Sequence, residues 1–155
     1  MSFKNDFLQI FYISQKMRQD FQKHVEGVLQ QLSKEYALNK APKISHYWIF
    51  SILYYESPIS LTDMAKQTGF AAPNLSRAIF ELQDMGLVTK EDDAADHRRC
   101  LLSLSEKGLA FCESLRGYTS RFITGRLFHG LMDDVPAVAE FFRAVEHNIE
   151  QEYTP

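Results

Sequence analysis

Between Asn5 and Tyr36 the chain has no proline and one glycine, Gly27. Apolar residues return there at Phe7, Ile10, Met17, Phe21, Val25, Val28 and Leu32, with Ser14 the one polar gap. Steps of three and four residues predict a single long helix with one apolar face. About 30 residues rising roughly 1.5 Å each would reach about 45 Å, more than a domain of this size needs for its own core. Near the N-terminal end Phe3, Leu8, Phe11 and Tyr12 widen the apolar stripe beyond one seam. That end needs a second partner surface.

The remaining pattern is a series of shorter elements. Ala41-Pro42-Lys43 marks a turn, and Ser45 is the expected N-cap of a helix that runs to about Glu56 and stops at Ser57-Pro58. Ser60 caps a short helix from Leu61 to about Thr68, and Gly69 follows as the residue best suited to a left-handed turn. Pro73 opens another helix, with Leu75, Ala78, Ile79, Leu82 and Met85 on its buried side and Gly86 at its end. Leu87 to Lys90 and Cys100 to Leu104 read as two short strands around a polar tip, Glu91 to Arg99. Ser105 caps a helix whose apolar spacing passes through Leu109, Cys112, Leu115, Phe122, Ile123 and Leu127. After Asp133-Asp134-Val135-Pro136 a last helix carries Val138, Phe141, Phe142, Val145 and Ile149. The expected fold class is mostly α with one β-hairpin.

Composition narrows the function classes. At 155 residues, 45% hydrophobic and 24% charged, the chain is expected to form a single globular domain over 1–155. No apolar run approaches the roughly 20 residues of a membrane span, and the N-terminus lacks a secretory pattern, so a cytoplasmic location without membrane contact is expected. Cys100 and Cys112 form no CxxC pair, and the five histidines show no metal-ligand spacing, so no metal is expected. The absence of GxSxG, Walker and GxGxxG patterns argues against an enzyme and against a cofactor. A formal charge of −3 does not advertise a nucleic-acid partner. Any such case rests on where particular residues sit.

Two helices joined by a tight turn, with a hairpin directly after the second, are the parts of a winged helix-turn-helix. Once the buried side of the Pro73 helix is set aside, Asn74, Ser76, Arg77, Phe80 and Glu81 face outward. Asn and Arg can make bidentate contacts to base edges, and Ser can bond bases or phosphates. Exposed N–H groups over Ala72, Pro73 and Asn74 would add a phosphate site, with the proline contributing no N–H of its own. At the hairpin tip stand Asp96, His97, Arg98 and Arg99. An arginine on a thin β-ribbon can enter a narrow minor groove, and Asp96 is placed to orient it. The same residues would also suit a solvated helix face and an exposed surface ion pair.

The stretch Leu61-Thr62-Asp63-Met64-Ala65, then Leu75-Ser76-Arg77-Ala78-Ile79 with Leu82, Gly86-Leu87-Val88, Asp96-His97-Arg98-Arg99 and Leu102-Ser103-Leu104-Ser105-Glu106-Lys107-Gly108 resembles the MarR family of transcriptional regulators. The resemblance implies a winged helix-turn-helix over 45–105 flanked by dimerisation helices over 1–40 and 106–155. It implies a homodimeric repressor on a pseudo-palindromic operator in duplex DNA, contacted by Asn74, Ser76 and Arg77, with Arg98 as wing arginine and Asp96 as its partner. It also implies a small aromatic effector, lodged between the first helix, the His46 helix and the Leu109–Leu127 helix, with His46 and Tyr47 as lining residues. Glu91, Asp92 and Asp93 depart from what a phosphate-facing wing wants. They motivate the other reading, a winged-helix protein-interaction module that has lost DNA binding. The region from Met1 to Tyr36 contains no cysteine, which argues against the family's peroxide-sensing subtype.

Overall fold

The computed structural model describes residues 3–93 and 100–151. Residues 1–119 form one compact unit and residues 120–155 a second.

In the first unit the long helix α1 spans Phe3–Glu35. Among its described side chains, those that enter the core lie in its C-terminal half: Val25, Val28, Leu29 and Leu32 are buried, one or two to each turn. The helix α2, Ile44–Glu56, adds Ile49, Phe50 and Leu53. The expected cap at Ser45 is corrected, because the helix begins two residues earlier, at Ile44, and Lys43 is the N-cap. There the Lys43 N–H donates to Nδ1 of His46 at 3.1 Å, so an imidazole closes the helix start in place of a hydroxyl.

A two-residue strand β1, Ile59–Ser60, leads into α3, Leu61–Thr68. Ser60 caps α3 as expected: its Oγ accepts from the Asp63 N–H at 3.1 Å and donates to the Asp63 carboxylate at 2.6 Å. Gly69 takes the left-handed conformation, φ 66°, and its N–H returns to the Ala65 carbonyl at 3.0 Å. The helix α4, Ala72–Asp84, then buries Leu75, Ala78, Ile79 and Leu82 against the same core.

β2, Val88–Asp92, and β3, Cys100–Leu104, form the expected hairpin, with Val88 opposite Leu104 and Asp92 opposite Cys100. Two details differ from the two-strand expectation. β1 pairs with the outer side of β3, giving a three-stranded antiparallel sheet in the order β1-β3-β2. Glu91 and Asp92 are strand residues and not part of the tip.

α5, Glu106–Phe122, packs Phe111, Cys112 and Leu115 into the core. Leu109, expected on that face, is exposed, because the buried row runs through Gly108, Phe111, Cys112, Leu115 and Thr119. In the second unit a π-helical turn covers Ile123–Leu127, and the last helix, α6, spans Val135–Glu150. α6 has no buried residue and leaves Val138, Phe141, Phe142 and Ile149 exposed. No helix among the described residues is long and apolar enough to cross a membrane.

Candidate nucleic-acid interface

The part of α4 that could meet DNA is its exposed N-terminal side. Leu75, Ala78, Ile79 and Leu82 anchor the helix at a spacing that leaves Ala72, Pro73, Asn74, Ser76 and Arg77 exposed. The first turn carries no acidic residue and no side-chain cap. Its N-terminal end therefore presents the positive pole of the helix dipole without a carboxylate to cancel it. Phe80, one turn further, is 70% exposed, a large apolar face beside the polar triad.

Rigidity comes from the turn before the helix. Gly69 reverses the chain, Thr68 Oγ1 donates to the Met64 carbonyl at 2.9 Å, and the Phe70 N–H donates to Thr68 Oγ1 at 3.2 Å. These bonds fix the turn itself. Met64 of α3 shares a core with Leu75, Ala78, Ile79 and Leu82 of α4, so the three outward residues of α4 project from a supported helix.

Glu81 does not face outward as expected. Its side chain is 16% exposed and lies against the start of α2, where Lys43 Nζ reaches Oε1 at 2.8 Å and His46 Nε2 stands 3.4 Å from Oε2. Nearby, Asn39 Nδ2 donates to the Asp84 carboxylate at 3.0 Å, and Lys40 Nζ stands 3.9 Å from it. The Lys43 hydrogen bond holds the Glu81 carboxyl below its usual pKa range, with burial opposing. Burial presses the His46 imidazole down to about 4, against the pull of Glu81. His46 is therefore a buried, neutral imidazole with both ring nitrogens facing polar neighbours. Tyr47 is half-buried, in edge contact with Phe21 at 5.5 Å and Trp48 at 5.2 Å between ring centroids. Sequence reasoning missed the Lys43–Glu81 contact. Its available signal was the pair Glu81 and Asp84, three residues apart on one helix flank, opposite the basic stretch of Lys40 and Lys43.

Along the wing, Thr89, Lys90, Glu91 and Asp92 are exposed. The Cys100 thiol points to Asp92 Oδ1 at 3.7 Å. Asp96, His97, Arg98 and Arg99 lie outside the described residues. Cys112 is a core residue whose thiol burial pushes up to about 12. Among the described residues no cluster of His, Cys, Asp or Glu could hold a metal ion.

Residues 42–99, which contain α2, β1, α3, α4 and β2, match the family model described as MarR family. This segment is similar to the MarR family. Solved MarR-type structures share its fold over most of its length. A cysteine-to-serine mutant of MarR from E. coli, complexed with operator DNA, superposes with a TM-score of 0.71 at 16% identity, over 94% of this chain and 99% of that one. NadR in complex with 4-hydroxyphenylacetate gives 0.69 at 20% identity, over 92% and 94%. BpsR of Bordetella bronchiseptica, described as regulated in DNA binding by 6-hydroxynicotinic acid, gives 0.61 at 23% identity, over 87% and 98%. At these identities the likeness is one of fold. The similarity to the MarR family in sequence rests on the match over residues 42–99.

Proposed function

We propose that this protein is a DNA-binding transcriptional regulator that grips a pseudo-palindromic operator as a homodimer. The observation that carries the reading is the exposure of Asn74, Ser76 and Arg77 together on the uncapped, acid-free N-terminal turns of α4. These side chains can read base edges, and the helix behind them is held by a continuous core. Ala72 and Pro73 stand where the backbone would meet a phosphate, and by the resemblance to the MarR family Arg98 and Arg99 would add contacts to DNA, with Asp96 orienting Arg98. The operator complex of the E. coli protein of the same fold supports this assignment.

Dimerisation is supported by apolar surface that a single chain leaves in water. On α1, Leu8 is 67% exposed and Phe11 61%, with Ile10, Tyr12 and Ile13 beside them; α6 adds Phe141 and Phe142. Patches of this kind mark interaction surfaces. A two-fold dimer would present its recognition helices to successive major grooves about 34 Å apart.

A small aromatic effector would act by preferring one separation of the two wings, since only differential affinity shifts such an equilibrium. The hydroxylated aromatic acids bound by NadR and named for BpsR support that chemistry. With the His46 ring already engaged, a ligand reaching α2 would meet Tyr47 first.

The test is selection of bound duplexes from a fully randomised pool, with the oligomeric state followed by sedimentation. The reading expects enrichment of an inverted repeat by a dimer, and loss of that enrichment in Arg77→Ala. A folded dimer that enriches no sequence would contradict it and favour a protein-interaction module.

A further inference from the structure

We propose that the segment from Asn39 to His46 and the outer flank of α4 form a polar latch that sets the pose of the recognition helix relative to α1. The latch would thereby set the half-site spacing that the dimer accepts. The inference rests on the DNA-binding reading and adds a positioning role for residues that need not touch DNA.

Three observations carry it. The first is convergence. Glu81 and Asp84 lie three residues apart on α4, and the partners found for both belong to the short connection between α1 and α2 together with its first helical turn: Asn39, Lys40, Lys43 and His46. This connection therefore joins α1 to α4 by a polar route, beside the direct packing of α1 on α2 through contacts such as Phe21 on Tyr47. The second is directionality. Leu75, Ala78, Ile79 and Leu82 hold α4 by apolar contact, which is non-directional and tolerates small rotations. The Lys43–Glu81 bond at 2.8 Å and the Asn39–Asp84 bond at 3.0 Å specify one rotation. His46 completes the geometry. Because its Nδ1 accepts from the Lys43 N–H, the ring proton resides on Nε2, which faces Glu81 Oε2.

The third observation is that the arrangement is poorly suited to stability alone. Oε2 of Glu81 is buried without a hydrogen bond, and His46 is 1% exposed. Buried polar groups that are incompletely satisfied stabilise less than apolar side chains of the same shape, and their best attested use is to fix register. Between a helix from which the dimer would form and a helix that would read the operator, register becomes the distance between two half-sites.

The experiment compares wild type with Lys43→Gln and Glu81→Gln. Lys43 acts from an exposed position, with its side chain 63% exposed, so its variant keeps the fold even if that of Glu81 does not. Duplexes selected by wild type are re-synthesised with the half-sites moved apart or together by single base pairs, and also as isolated half-sites. In the variants, discrimination between the best spacing and its neighbours should fall about threefold or more, while affinity for an isolated half-site stays within about twofold. Unchanged spacing discrimination in both variants overturns the latch, as does a parallel loss of half-site and full-site binding. A wild type that binds no duplex removes the DNA-binding reading itself, and the latch with it.

Discussion

Gly108 lies directly against the backbone of Leu87, so close that a Cβ on it would stand 1.9 Å from the Leu87 carbonyl oxygen and 2.8 Å from its carbon. The approach has a local cause. The Ser105 N–H donates to that same Leu87 oxygen at 3.0 Å, Ser105 Oγ donates to the Gly86 carbonyl at 2.6 Å, and the Gly108 N–H donates back to Ser105 Oγ at 2.9 Å. The first turn of α5 is thus docked where α4 hands over to the wing. Only a residue without a side chain fits there.

Gly108→Ala should therefore destabilise the protein by about 1–3 kcal/mol, because backbone on both sides must move to admit the methyl group. Urea denaturation measures it. An unchanged midpoint would show that the α5–wing contact yields freely.

His46 sets a pH dependence. The unfolded imidazole takes its proton near 6.5, whereas burial holds the folded one down to about 4, with Glu81 raising it and Lys43 and Lys40 lowering it. Between those values the unfolded chain binds more protons, so stability is greatest above about 6.5 and falls as pH drops toward about 4. A shift of this size corresponds to about 3 kcal/mol in total. His46→Gln should flatten that part of the stability profile relative to wild type. Parallel profiles for the two proteins would assign the acid sensitivity to other groups.

Arg77 is exposed and α4 is anchored by its opposite face, so Arg77→Ala should leave unfolding unchanged. Affinity for the selected operator should fall by about 1–3 kcal/mol, with a smaller loss on random duplex. Equal losses on both would make Arg77 a phosphate contact and not a base reader.

On α1, a charge at Phe11 should weaken self-association, since that ring is one of the large apolar groups a lone chain leaves in water. Burying such a side chain contributes about 1.5–3 kcal/mol, and a carboxylate adds a desolvation cost. Sedimentation of Phe11→Asp should show a monomer–dimer equilibrium at concentrations where wild type is dimeric. A fully dimeric variant would place the interface elsewhere.

Much of the fold could be read in the chain because its signals are local. The 3.6-residue rhythm of Leu75, Ala78, Ile79 and Leu82 depends only on the helix itself, as do the Ser60 cap and the Gly69 turn. The same rhythm leaves Asn74, Ser76 and Arg77 as the outward residues, and all three are exposed. What failed depended on distant partners. β1 is two residues long and exists only because Ile59 and Ser60 find Leu102 and Leu101. α2 begins at an imidazole cap, a role that residue type does not announce. Leu109 shares the apolar character of Phe111, and the close approach of Gly108 to Leu87 decides which of the two turns inward. Glu81 belongs by pattern to the outer face of α4, and it is drawn to the flank by Lys43 and His46 from across the core.

The most direct test of DNA binding is fluorescence anisotropy of the purified protein with random-sequence duplex DNA, titrated from low to physiological salt, for wild type and Arg98→Ala. DNA binding through the winged helix predicts an affinity that falls steeply with salt, through release of counterions from the contacted phosphates. Arg98→Ala should bind more weakly by at least about 1 kcal/mol while remaining a folded dimer. A folded dimer that does not bind duplex at low salt would contradict the reading.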